Sequence, residues 1–206
     1  MTRIRPVAPA DLDALYAISL QTGDNGADAS ALYKDPRLIG HIYVAPYAVL
    51  SRQTAFVAED DSGVAGYIVG ALDTRAFEAR LERDWWPALR ARYADPQDRP
   101  PQSWSADEMR AWMIHHPYPA PERVLAGHPS HLHINLLPRL QGQGMGKALM
   151  DRFLETVRSG GSPGVHLGTG EANVRARRFY DIYGFHTVPR PEGARSQTVW
   201  MQYGLG

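Results

Sequence analysis

Hydrophobic and polar positions are patterned most clearly over residues 54–72, where "TAFVAED" and "VAGYIVGAL" flank the polar "DSG". Two apolar runs around a short polar turn predict a β-hairpin. Upstream, "TRIRPV" sets Ile4 among charged neighbours and meets Pro6, the pattern of a short edge strand. "APADLDALYAISLQTG" places Leu12, Leu15, Tyr16 and Ser19 on one helical face, with Gly23 beyond its end. Residues 24–35 are polar and read as a loop. "PRLIGHIYVAPYAVL" predicts a helix from Pro36 with a bend near Pro46.

From residue 73 to residue 130 the pattern changes. "DTRAFEARLERDWWPALRARYADP" reads as one charged amphipathic helix carrying Trp85 and Trp86. Ser105 and Glu108 have capping-box spacing, so a second helix starts there, and Pro117, Pro119 and Pro121 end it. The apolar residues of this stretch are too few for a core of their own. Residues 73–130 are therefore read as a helical insertion, and residues 1–206 as one domain.

Beyond it, "HLHINLL" returns to strand and stops at Pro138. A glycine-rich loop leads into a helix over 145–158, then "GSPGVHLGTG" gives a strand. "NVRARRFYDIYGF" is a helix closed by Gly184, and "FHTVPR" and "TVWMQY" are final strands. The fold class is α/β of the α+β kind, a mixed sheet with helices on its faces.

Composition narrows the functions. The 22 Lys and Arg balance 22 Asp and Glu, so no net field gathers nucleic acid or an anionic membrane. Cysteine is absent, which excludes disulfides, thiolate metal sites and a cysteine nucleophile. No apolar run approaches a membrane span, and the first residues lack a signal-peptide core, so a cytoplasmic protein is expected.

The loop "LQGQGMGKALM" carries glycine at 142, 144 and 146 just before a helix. Backbone N–H groups at a helix start, free of side chains, form a cradle for phosphate. The phosphate loop of nucleotide hydrolases needs glycine at 141 and Ser or Thr at 148, where this chain has Gln141 and Ala148. The dinucleotide fingerprint needs glycine where Lys147 stands. Glycines kept only for a tight strand–helix connection are the other reading.

"QGQGMG" resembles the Q/R-x-x-G-x-G/A loop of the GNAT superfamily of N-acetyltransferases. The resemblance extends over residues 131–186: "HLHINLLP" is similar to the fourth strand of that family, "GMGKALMDRFLETV" to the following helix, "GVHLGTG" to the fifth strand and "NVRARRFYDIYGF" to its N-x-x-A-x-x-x-Y-x-x-x-GF helix. "HINLLPRLQGQGMG" and "SPGVHLG" also resemble the acetyltransferase-like C-terminal domain of O-GlcNAcases and its bacterial relatives.

The resemblance implies a GNAT-like, mostly antiparallel twisted sheet with the insertion between the third and fourth strands. It implies acetyl-CoA as acyl donor, held by Leu136, Leu137, Gln141, Gly142, Gln143, Gly144, Met145, Gly146, Lys147, Asn173 and Tyr180. The pantetheine amides would pair with the opened edge at Leu136 and Leu137, and backbone N–H near Leu137 would serve the thioester carbonyl. The acceptor expected is a small amine or a lysine-bearing molecule, with no nucleic acid or membrane partner, and a monomer or homodimer is expected.

Acetyl transfer needs an unprotonated amine, a donor to the carbonyl oxygen and a proton for the leaving thiolate. Tyr180 is the candidate acid, with Asn173 two turns earlier; a helix cap and a core tyrosine are the alternative roles. His131, His133 and Asn135 alternate on one strand face. His133 is the candidate base, and Asp73 a fallback. His128, His131 and His133 could suggest a metal, but lack further fixed ligands, and none is expected. Tyr33, Tyr43, Tyr47, Trp85, Trp86, Trp104, Trp112 and Tyr118 could line an acceptor pocket or pack the insertion. A module that binds acyl-CoA with little or no catalysis is the alternative function.

Overall fold

A computed structural model of the protein describes residues 2–191, 193 and 197–206. Strand β1 (Arg3–Pro6) precedes helices α1 (Leu12–Gln21), α2 (Leu38–Tyr43) and α3 (Ala45–Leu50). The predicted hairpin is β2 (Phe56–Asp60) and β3 (Gly63–Ala71). The insertion contributes α4 (Thr74–Asp84), α5 (Trp86–Arg92), α6 (Ala106–His115) and the short α7 (Glu122–Leu125). Then come β4 (Ser130–Leu136), α8 (Met145–Ser159), β5 (Gly164–Gly170), α9 (Val174–Tyr183), β6 (His186–Thr187) and β7 (Thr198–Gly204).

The strands form one sheet in the order β1-β2-β3-β4-β5-β7-β6. Its strand pairs are antiparallel except β4 with β5, which run parallel. Both faces are covered, which is why β3 reads as a nearly unbroken apolar run. Phe56, Ala58 and Ile68 face α8, whose Leu149, Met150, Phe153, Leu154 and Val157 form one buried stripe. Val57, Tyr67 and Val69 face the other way, onto α1, α3 and the insertion. At Gly70 a Cβ would lie 2.0 Å from the His131 carbonyl and 2.7 Å from the Phe153 ring, so glycine permits that close approach.

The insertion packs onto the sheet: Phe77, Leu81, Trp86, Leu89 and Ile114 share a buried cluster with Leu15, Ile18, Val57 and Tyr67. Its first helix is not continuous as expected. The chain breaks at Trp85, because Pro87 suits the first turn of a new helix and not the middle of an old one. A similar break at Val44 separates α2 from α3, with Pro46 in the opening turn of α3. The Ser105–Glu108 capping box forms as predicted, Glu108 N–H donating to Ser105 Oγ at 3.2 Å and Ser105 N–H to Glu108 Oε2 at 2.8 Å. Short α7, after three prolines, has no counterpart in the sequence reading. Among the described residues no helix is long and apolar enough to cross a membrane.

Candidate functional site

The parallel pair β4–β5 is zipped only at its start. Ser130 pairs with Val165 and His131 with His166, and no further β4–β5 pair forms among the described residues, although both strands continue. The sheet therefore opens toward the C-terminal ends of these strands. Leu137 does not serve this opening as expected. Its N–H donates to the Ala65 carbonyl of β3 at 2.8 Å. Because strand amides alternate in direction, the backbone groups of Leu136 and Ile134 face the gap instead. The Leu136 carbonyl there accepts the Gln141 side-chain amide at 2.7 Å, leaving its N–H as the donor to the opening.

Gln141 thus ties the glycine loop to the end of β4. Gly142 and Gly144 have φ of 74° and 77°, with nothing within 4 Å of where a Cβ would stand. Left-handed backbone of this kind favours glycine and turns successive N–H groups toward one side. Gln141 N–H is used by the Pro138 carbonyl and Ala148 N–H by the Gly144 carbonyl, whereas the N–H groups of residues 142–147 between them bond to no described residue. These donors cluster at the positive end of a fifteen-residue helix. Gly146 differs from Gly142 and Gly144: a Cβ there would make ordinary contact, at 3.4 Å, with the Phe179 ring of α9. Lys147 offers the loop only its backbone, since its ammonium pairs with Asp151 at 2.7 Å. Gln143 braces the turn by donating to the Arg139 carbonyl at 2.7 Å.

Helix α9 packs over this helix start. Asn173 is the residue before the helix, and its Oδ1 accepts from Ala176 N–H at 3.1 Å. It caps α9, the alternative role that its position in the sequence leaves open. Gly184, φ 113°, closes the other end as predicted. Tyr180 is 7% exposed, set between Phe179 and Phe185, and burial raises its pKa. Its hydroxyl has no hydrogen-bond partner among the described residues.

On the opposite sheet face, His131, His133 and Asn135 do lie together. Tyr47 Oη is 2.9 Å from His131 Nε2 and 3.2 Å from His133 Nε2. His131 Nδ1 reaches Thr74 Oγ1 at 2.7 Å. Burial, with His166 nearby, pushes the His133 pKa down to about 4, and burial lowers His131 and His166 too. All three rings are therefore neutral at neutral pH. Asn135 donates to Thr22 Oγ1 at 2.6 Å. His128 lies apart, its Nδ1 at 2.9 Å from the Ala126 carbonyl. Asp73, the fallback base, caps α4 by accepting from Ala76 N–H at 2.8 Å.

The aromatic residues sort into separate groups. Tyr43 and Tyr47 meet His133, with ring centroids 5.5 and 5.3 Å away. Trp86 is core, and Trp85 donates to the His41 carbonyl at 2.9 Å. Trp112 packs at a tilt against Trp104 and Tyr118 within the insertion, with ring centroids 5.9 and 5.3 Å away. Tyr33 accepts from Arg110 at 3.0 Å. Thr74 escaped the sequence reading, and so did Tyr67, which lies opposite Asn135 on this face and buries a hydroxyl with no partner among the described residues. Its setting, "GYIVG", gives no sign of anything but core strand.

Comparison with known proteins agrees with this architecture. Residues 33–185 match the model of the Acetyltransferase (GNAT) family. SsHAT, known from its crystal structure, is 36% identical, with a TM-score of 0.87 over 100% of this chain and 98% of that one. Protein O-GlcNAcase of Rattus norvegicus is 26% identical over 95% of this chain but 21% of its own length. The chain thus spans about a fifth of that relative. The structure of yncA from Salmonella typhimurium with its cofactor acetyl-CoA shares the fold, with 17% identity and a TM-score of 0.54 over 100% of this chain and 94% of that one.

Proposed function

The chain belongs to the acetyltransferase (GNAT) family, and from that premise we propose that it transfers the acetyl group of acetyl-CoA to an amine by direct attack. The observation that carries this reading is the run of unpaired N–H groups at 142–147 beside the opened β4–β5 edge. A diphosphate supplies the charge and acceptor oxygens that such donors lack, and open space at Gly142 and Gly144 leaves room for it. The gap between the strands suits an extended chain with amides of its own, which Leu136 can pair as an added strand would.

The donor brings a thioester; the protein has to orient it and manage protons. Ile134 N–H, which also faces the gap and lies farther from the glycine loop than Leu136, is the candidate donor to the carbonyl oxygen as charge develops there. Tyr180 is the candidate acid. Its raised pKa keeps the phenol protonated at neutral pH, with its hydroxyl free to donate to the leaving sulfur. Asn173 supports it by capping the helix that carries it. His133, neutral and on the other side of the sheet, is the candidate base for the acceptor ammonium. Tyr43, Tyr47 and the Tyr67 hydroxyl are candidates to line the acceptor side, which favours a small amine over a protein surface.

Acetyl-CoA turnover against a panel of amines tests the proposal. Tyr180→Phe is expected to lower kcat about tenfold to a hundredfold with acetyl-CoA affinity kept. Unchanged turnover would remove Tyr180 from the mechanism.

A second reading, an acyl-CoA-binding module with little catalysis, is favoured by one observation: a base held near pKa 4 accepts a proton weakly. Tight acetyl-CoA binding by calorimetry without acetylation of any acceptor would select it.

A further inference from the structure

Beside the proposed site runs a chain of hydrogen bonds whose direction follows atom by atom. It begins at the Pro129 carbonyl, which can only accept. Thr74 Oγ1 lies 2.7 Å from that oxygen, a distance that requires the hydroxyl proton between them. The proton so committed, Thr74 Oγ1 can only accept from His131 Nδ1, 2.7 Å away. His131 therefore carries its proton on Nδ1. Being neutral, it has a bare Nε2, which accepts the Tyr47 hydroxyl at 2.9 Å. Tyr47 has one proton, held firmly because burial raises its pKa, so its oxygen is an acceptor for His133 Nε2–H at 3.2 Å. His133, neutral too, is left with a bare Nδ1, and that atom has no hydrogen-bond partner among the described residues.

We propose that Thr74, His131 and Tyr47 are positioning residues that fix His133 as its Nε2–H tautomer and so present Nδ1 to the proton of the acceptor ammonium. This rests on the acetyl-transfer reading and names the atom that serves it. In the step, the ammonium N–H bond breaks, its electron pair stays on the amine nitrogen, and a new N–H bond forms at His133 Nδ1. The imidazolium so made keeps donating through Nε2 to Tyr47. The titratable groups facing His133 are Tyr43 from α2, Tyr47 from α3, His131 on its own strand and His166 from β5. None is a carboxylate, so tautomer selection falls to the hydrogen-bond chain and not to an acid partner.

Long-range 1H–15N spectra of the labelled, ligand-free protein read the tautomers directly. His131 should be protonated on Nδ1 and bare on Nε2, and His133 the reverse. Tyr47→Phe should release His133 into a tautomer mixture and lower kcat about tenfold to a hundredfold, with KM for acetyl-CoA unchanged. Thr74→Val should disturb the His131 tautomer, and Thr74→Ser should restore it. A wild-type His133 protonated on Nδ1 would overturn the proposal whatever the enzyme does. A His133→Gln variant with wild-type rate and pH profile would overturn the role of base while leaving acetyl transfer standing. Failure of the wild type to bind acetyl-CoA would instead sink the acetyl-transfer reading, and the base with it, even with both tautomers as described.

Discussion

The Gln141 side-chain amide donates to the Leu136 carbonyl at 2.7 Å. This one bond joins the opened edge of β4 to the loop before α8, the two halves of the proposed cofactor site. It also consumes the only acceptor that Leu136 offers to the gap, leaving its N–H as the donor.

The glycines of the loop differ in purpose, and substitution should separate them. An alanine at 144 has to adopt φ of 77°, at a cost of roughly 1–2 kcal/mol. Gly144→Ala is expected to weaken acetyl-CoA binding about tenfold. Gly146→Ala presses only on the Phe179 ring and should leave affinity within about twofold, as a change of a few tenths of a kcal/mol does. Calorimetric Kd values for both variants check this.

Asp73 and Asn173 are both helix caps, yet different roles are assigned to them. Each alanine variant should lose about 1 kcal/mol of stability in urea titration. Asp73→Ala should leave acetyl-CoA affinity unchanged, since α4 carries Thr74 on the acceptor side and no part of the glycine loop. Asn173→Ala should lose turnover as well, because α9 carries Tyr180, and Asn173→Ser should recover most of the lost stability and rate together.

Tyr67 buries a hydroxyl without a partner among the described residues, a cost of about 1–3 kcal/mol. Tyr67→Phe is expected to stabilise the fold by about 1 kcal/mol while raising KM for the amine. A stability gain with kinetics unchanged would assign that hydroxyl no role in the acceptor site.

Acid should destabilise the protein through its buried histidines. His41 is 7% exposed, and burial lowers its pKa from 6.5 to about 4. Above pH about 6.5 both folded and unfolded states hold it neutral, and its stabilising contribution is complete. As pH falls from there toward 4, the unfolded chain binds a proton that the folded one refuses. Stability then drops by up to about 1.4 kcal/mol per pH unit for this histidine. Urea denaturation at pH 7 and pH 5 should show the loss, and His41→Phe should reduce it by about 1–2 kcal/mol.

Much of this was legible in the sequence where the signal is local. Two apolar runs around a polar turn mark the β2–β3 hairpin, capping chemistry marks the start of α6, and Gly184 marks the end of α9. The ordered motifs around "QGQGMG" and "NVRARRFYDIYGF" carried the family. Features that depend on distant partners were not legible. The direction of the Leu137 amide is set by its register against β3, and the role of Tyr47 by strand residues His131 and His133 more than eighty positions away. The placement of β7 between β5 and β6 likewise leaves no local trace. The break at Trp85 does have a local signal, Pro87, which a single-helix reading of this stretch passes over.

The central claim, that the unpaired amides at 142–147 hold the diphosphate of acetyl-CoA, is tested most directly by following backbone 1H–15N resonances as acetyl-CoA is added. Large shifts should concentrate at Gly142 to Lys147 and at Leu136, with Leu137 far less affected because its N–H is already bonded to Ala65. Saturable binding that shifts some other surface and leaves these amides unmoved would contradict it.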